Sequence, residues 1–410
     1  MLLKFKVLLF VLSLIMLNNN YAQETIKRSG GLARIMSMGD NLYIEDPTDM
    51  KINPAYGAYY DNFIWGDIGK TTYAGGSGGT SQFFGANLRL DENLTIGAIL
   101  SREDQAGSIS ISSVDPLYLS SQGYFGNERP NNNTEIFASY KLSNLSLGFG
   151  ISYLSAGSKI EYNNVVNHHE NRDYSQIGFN FGLLTKLSTY NSIDAAILLL
   201  LPKSRRELDS LTEEVSQTVF KADVRAFIRL NEKIKFVPVF NLLLGSGSDD
   251  IVRQVTANTF KNKDLPSYTQ LLVGAGINYS TDKFLFAGGP SFIYILTKDD
   301  SDDPEREYSK TAIEWNIGAE WYCTTWLTAR MGYKAYTSSD FAKTKYELGS
   351  NNESTRTNYG NDDGFTLGIG FKFEGFSLDA TVNDDIIRQG LNNIGGGNAT
   401  LGFVSVSYAF

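Results

Sequence analysis

The sequence predicts an all-β chain, a transmembrane antiparallel β-barrel of 14–16 strands. Three observations carry this. Period-two alternation runs from about residue 60 onward, with a polar face of Gly, Ser, Thr and Asn where a soluble sandwich would carry charges. Tight turns alternate with long polar loops. The chain opens on an apolar leader and closes on an amphipathic strand. Composition agrees: 410 residues with 13% aromatics, 39 glycines and 20% charge are not those of a disordered chain. A wall that is polar inside and apolar outside is the membrane-barrel pattern.

Residues 1–22 read as a cleaved signal peptide. Lys4 and Lys6 form a basic start, residues 7–17 an apolar run, and Asn18 to Ala22 a polar exit with a small residue for cleavage. The apolar core is too short for the roughly 20 residues of a spanning helix. Its removal takes the net charge from −9 to −11, because two lysines and no acids leave. Residues 23–58 form a separate N-terminal segment and residues 59–410 the barrel.

The strands follow. In residues 364–373, Phe365, Leu367, Ile369, Phe371 and Phe373 share one face, and Thr366, Gly368, Gly370 and Lys372 the other. Residues 145–153 repeat the pattern, as do 177–183, 271–279 and 313–321. Seven tight turns, at 91–93, 143–144, 189–191, 231–233, 281–283, 323–325 and 374–375, imply fourteen strands. A strand near 63–68 and a last one over 399–410 raise the number to sixteen. The longer loops, 103–133, 156–173, 246–266, 298–308 and 337–363, lie between them. Short turns on one side and long loops on the other match periplasmic and extracellular ends. Trp65, Tyr153, Tyr279, Trp321, Tyr322 and Trp326, near strand ends, suit aromatic girdles. In the last strand Val404, Val406, Tyr408 and Phe410 alternate with small residues. Tyr408 and its terminal Phe410 look like the signal read by the outer-membrane barrel assembly machinery.

Several function classes fall away. A net charge of −9 argues against a nucleic-acid binder. One cysteine excludes a disulfide framework or cysteine-rich metal site. The two histidines, His168 and His169, adjoin in a polar loop, which leaves no catalytic triad. Gly75 to Gly79 lacks the Gly-Lys-Ser/Thr ending of a phosphate loop. Asp299 to Asp303 lacks the spacing of a calcium loop and reads as a solvated charge run. No catalytic residue, metal or cofactor is expected, and the chain is read as a monomer and not an enzyme.

Alternation points Asp223, Arg225 and Arg229 inward on one strand, Glu314 and Glu320 on another, and Arg330 and Lys334 on its hairpin partner. Pairing Tyr322 with Trp326 about the turn 323–325 sets Glu314 opposite Lys334. Lys372 and Asp379 fall nearly diagonal across turn 374–375. Opposite charges in register attract by roughly 0.2–1 kcal/mol. The pattern suggests a narrow or filled lumen; the alternative is unpaired charge in a watery pore.

The N-terminal segment holds the most specific motif: Gly31-Leu32-Ala33-Arg34, then Met38-Gly39, Asp46-Pro47-Thr48-Asp49 and Asn53-Pro54-Ala55. Proline fixes φ and removes a donor, so Asn53-Pro54 breaks strand structure. Alone it is also compatible with an ordinary turn before the first strand. The whole pattern resembles the opening of FadL-type outer-membrane barrels, including the PorV-like branch, sharply over residues 31–55 and diffusely beyond. It departs where Asp40-Asn41 replace small residues. The resemblance implies a hatch in the lumen, with Met38, Gly39, Asn53, Pro54 and Ala55 among its residues. It also implies passive uptake of a small, fatty-acid-like hydrophobic molecule across a Gram-negative outer membrane. PorV-like members imply the alternative, a closed barrel that partners exported proteins.

Overall fold

The computed structural model describes residues 30–73, 76–102, 133–162, 168–188, 190–208, 211–253, 263–299, 305–345, 351–359, 364–382 and 401–410. The expected signal peptide lies outside them, as do loop 103–132 and most of Asp299 to Asp303.

The chain is a closed antiparallel barrel. Its strands are β1 (Phe63–Tyr73), β2 (Gly76–Arg89), β3 (Leu94–Arg102), β4 (Asn133–Lys141), β5 (Leu145–Tyr162), β6 (His168–Lys186), β7 (Ser192–Leu208), β8 (Leu211–Arg229) and β9 (Ile234–Arg253). They continue with β10 (Lys263–Ser280), β11 (Phe284–Asp299), β12 (Glu305–Tyr322), β13 (Leu327–Lys345), β14 (Asn351–Tyr359), β15 (Gly364–Phe373), β16 (Phe376–Val382) and β17 (Leu401–Ala409). β14 and β15 follow one another along β13, pairing as Thr337↔Tyr359 and Lys334↔Gly364. They fill one place, so the ring has sixteen positions. β17 pairs with β1 from Phe63↔Ala409 to Gly69↔Phe403, which removes both sheet edges.

The seven tight turns lie at one end of this wall. The other end carries the remaining connections, and there the strands run further than the apolar pattern does. β5 to β13 are 16–20 residues long, whereas about 9–11 tilted residues cross a bilayer core. Much of the expected loops 156–173 and 337–363 is therefore strand. Beyond an apolar band both faces are polar, and period two disappears from the sequence although the ladder continues.

Facing follows the pleat. On β5, Leu147, Phe149, Ile151 and Tyr153 are exposed while Ser146 and Ser152 are buried. Phe365 and Phe373 likewise face out. Phe284 stacks on Trp321, and Trp326 on Phe371 and Phe373, around the turn end. Two expected girdle residues do not join them. Trp65 is buried, edge-on to Phe83 at 4.6 Å, because the inner face of β1 packs against the N-terminal segment. The Tyr322 hydroxyl turns to Glu320 at 3.2 Å. Tyr408 and Phe410 are exposed and stacked, and the Phe410 amide closes the ring end by donating to the Asn62 carbonyl at 3.0 Å.

The register of β12 and β13 corrects the expectation. Tyr322 pairs with Thr328 and Glu314 with Tyr336, while Lys334 stands opposite Asn316. Five residues, 323–327, separate the first pair Tyr322↔Thr328 where three were expected, so the ladder slides by two. A shift of two keeps each side chain on its face, whereas a shift of one would have reversed them all.

Candidate functional site

Residues 30–62 precede the wall and are mostly buried. They comprise a short helix α1 (Leu32–Ser37) and two 3₁₀ turns, Pro47–Lys51 and Pro54–Ala58. Each turn begins with a proline, where the missing amide costs nothing, behind a polar cap. Asp46 accepts from the Thr48 amide while Asp49 accepts from the Asp46 amide, a capping box. The Asn53 carboxamide accepts from Ala55 N at 3.0 Å and donates to the carbonyls of Leu183 and Ala195. One side chain thus caps a turn and ties it to β6 and β7.

Inward glycines let the segment lie close to the wall. A methyl group at Gly318 or Gly332 would collide with the Met38-Gly39 backbone, and one at Gly148 or Gly182 with Asn53-Pro54-Ala55. Gly39 itself has φ +75°, and a Cβ there would fall 2.7 Å from the Tyr333 carbonyl oxygen. Donors from the wall complete the fit. Asn316 Nδ2 donates to Gly39 O at 3.0 Å and Ser139 Oγ to Pro54 O at 2.6 Å. From the segment, Asn41 Nδ2 donates to Ala287 O at 2.9 Å.

Charge holds one side. Arg34 grips Glu320 with two nitrogens, at 2.7 and 2.9 Å, and reaches Asp46 at 3.1 Å. Glu320 also receives Arg330 Nε at 2.6 Å. Arg330 Nη1 lies 2.6 Å from Asp379 Oδ1 as an ion pair, without hydrogen-bond alignment. In a second cluster, Arg225 meets Asp49 at 2.8 Å and Asp194 at 3.0 Å, and donates to Ile44 O at 2.8 Å. The Tyr56 hydroxyl donates to Asp194 at 2.6 Å. In a third, Lys334 bridges Asp40 at 2.9 Å and Glu314 at 3.4 Å. This ion pair is diagonal on the ladder and not directly opposed.

Of the other inward charges, Asp223 and Arg229 stand apart from these clusters. Asp223 contacts Lys221 and Asn241. Arg229 lies 3.5 Å over the Tyr190 ring and donates to Asn231 O at the turn end. Asp379 stands opposite Gly370 and pairs with Arg330, while Lys372 stands opposite Ser377. Sequence reasoning missed Asp194 and gave no charge partner to Arg34 or Asp49, because these pairs join the segment to distant strands, as Arg34 to Glu320 and Asp49 to Arg225, and depend on how the segment folds back. The inward glycines were the available signal.

Burial shapes the electrostatics. It pushes the Asp46 and Asp49 carboxyls up to about 6, against the pull of Arg34 and Arg225 respectively. It pulls the Lys51 ammonium down to about 8; that group sits 3.2 Å from the Phe83 ring centroid.

Apolar packing holds the other side. Tyr56, Tyr59 and Tyr60 pack with Ile99, Phe137 and Leu184 of the wall. Further along the inner face, Leu198, Leu200, Val219, Leu243 and Tyr268 form a separate apolar patch. It begins four residues along β7 from Asp194, the partner of Tyr56. Among the described residues no cluster of His, Cys, Asp and Glu is placed to hold a metal.

No protein-family model and no curated protein matches the chain. Among solved structures it is similar to the Pseudomonas putida toluene transporter TodX, at 9% identity over 94% of this chain and 97% of that one, with a TM-score of 0.38. It is similar to a Pseudomonas aeruginosa FadL homologue at 12% identity, over 91% and 96% of the two chains, with a TM-score of 0.40. It is also similar to the FrpB iron transporter from Neisseria meningitidis, at 10% identity over 87% and 83%, with a TM-score of 0.38.

Proposed function

We propose that the protein is a FadL-like outer-membrane barrel that passes a small hydrophobic molecule, with residues 30–62 acting as its hatch. The observation that carries this reading is the inward apolar patch of Leu198, Leu200, Val219, Leu243 and Tyr268. A water-filled pore has a polar interior; here inward apolar side chains pack against one another, and an apolar solute would pass by parting them without meeting a polar barrier. On one side the segment is held by ion pairs and hydrogen bonds, contacts that break and re-form without chemistry. The exposed apolar band supports a lipid surround, and the terminal Tyr408 and Phe410 support recognition by the assembly machinery. The chain then works as a monomer without a cofactor.

Uptake of a fluorescent fatty acid into liposomes tests the passage reading. Leu200→Asn with Val219→Asn should slow uptake severalfold while the barrel still assembles. Unchanged uptake would remove the patch from the path. A second reading, a sealed barrel that partners exported proteins, draws on the charge clusters that clamp the segment. It requires that liposomes carrying the wild-type barrel take up no more solute than empty ones.

A further inference from the structure

A cavity of about 740 Å³ lies along the wall over β7 to β11, and by the pleat eight of its twelve lining residues point to the outside of the barrel. Its floor is hydroxylic: Ser216, Thr218, Ser246, Ser248 and Ser267. Lys203 and Lys298 stand at its edges. All seven point outward by the pleat, in phase with exposed Val224 on β8, Leu244 on β9 and Phe292 on β11.

The cause of the hollow is local. Pro202 interrupts the β7–β8 ladder between Leu200↔Val219 and Lys203↔Ser216. Next to Pro266 the β9–β10 register shifts between Leu265 and Tyr268. A bulge bends its strand, and small side chains between the two prolines leave the space open.

Height decides the occupant. Leu201 is the tenth residue of β7 counted from Ser192 at the turn end, and Lys203 the twelfth. Ser246 is the thirteenth of β9 counted from Ile234. About 9–11 residues cross the hydrocarbon, so the hollow begins where the apolar band stops. Leu201 and Leu244, both 39% exposed, lie at its lower margin, where acyl chains would run. Resting partners of the lysines are half-exposed carboxylates, Glu214 at 2.7 Å from Lys203 and Glu307 at 3.7 Å from Lys298. Exposed pairs of this kind hold weakly, so a phosphate can take over both ammonium groups.

We propose that this hollow binds the phosphate-bearing, hydroxyl-rich headgroup of a lipid in the outer leaflet. The lysines contact phosphate, the serines and threonine meet sugar or phosphate oxygens, and the acyl chains lie along the band below. The proposal rests on the outer-membrane reading, and the experiment separates the two. Purified protein in a nonionic detergent is titrated with diphosphoryl lipid A and the adducts are counted by native mass spectrometry. Wild type should take up one lipid with preference over phosphatidylcholine. Lys203→Gln with Lys298→Gln should weaken it about tenfold, in line with loss of charge-assisted hydrogen bonds. Lys159→Gln, which removes an exposed lysine elsewhere on the wall, should change nothing. Equal binding by the double variant, or displacement of the lipid by inorganic pyrophosphate as from a soluble-anion site, would overturn the proposal. Wild-type protein that is monodisperse in buffer without detergent would instead sink the membrane reading itself.

Discussion

The N-terminal segment is held in two different ways on two sides of the barrel. Against β12, β13 and β16 the contact is ionic: Arg34, Glu320, Arg330 and Asp379 form one buried chain of charges. Against β3, β4 and β6 it is apolar, with the three tyrosines of residues 56–60 packed on Ile99, Phe137 and Leu184. The difference assigns them unequal tasks. Apolar packing is non-directional and insensitive to salt or pH. Buried ion pairs add little net stability, yet they fail abruptly when one partner is lost. If the segment moves as proposed, the Arg34–Glu320 side should be the one that releases and the aromatic side, with Tyr56 also bonded to Asp194, the hinge.

The largest effect should come from breaking the ionic side at its centre. Glu320→Gln leaves Arg34 and Arg330 buried with too few acids, a cost of about 3–5 kcal/mol. Limited proteolysis should then cut within residues 30–52 while the barrel keeps its heat-modifiable mobility on gels. Unchanged protection would mean that the charges do not hold the segment. Gly332→Val comes next. It removes the clearance under Met38-Gly39, and overpacking of this kind costs about 1–3 kcal/mol. The same protease assay should show intermediate exposure, and a fully protected variant would show that the wall yields.

Protons offer a milder handle. Asp46 and Asp49, raised by burial to about 6, bind protons more tightly docked than free. Docking should thus weaken as pH rises from about 4 to about 6 and level off above that. Lys51, lowered to about 8, works the other way: docking should strengthen as pH rises from about 8 towards its ordinary value. Hydrogen exchange of residues 31–58 should therefore be least protected between pH 6 and 8, once corrected for intrinsic rates. A monotonic profile would contradict the assignment. The smallest effect belongs to Asn53→Ala, which removes a cap worth about 0.5–2 kcal/mol and should loosen the aromatic side only. Exposure near residue 34 in this variant would mean that the two sides are coupled.

These contrasts also mark what a sequence discloses. The wall was legible because one face must meet lipid, and the seven tight turns and the phase of residues 145–153 and 365–373 follow from that. The strand extensions of β5 and β6 past residue 155 were not legible, since nothing there distinguishes the faces. The diagonal placement of Lys334 hinged on whether Trp326 and Leu327 pair with β12 or belong to its turn, which packing decides and alternation does not. Arg225 and Glu320 could be placed on the inner face, but Asp194 and the grip of Arg34 on Glu320 depend on how the segment folds back, and no local pattern encodes that. The Gly residues of the polar face were the overlooked sign, since Gly148, Gly182, Gly318 and Gly332 mark where another backbone must pass.

Planar-bilayer conductance of the full chain and of a form lacking residues 31–52 tests the hatch most directly. The lipid-facing wall is untouched by the deletion, so the barrel should assemble in both. The account predicts a closed or briefly flickering full-length protein and a persistently raised conductance after deletion. Equal conductance in the two forms would contradict it.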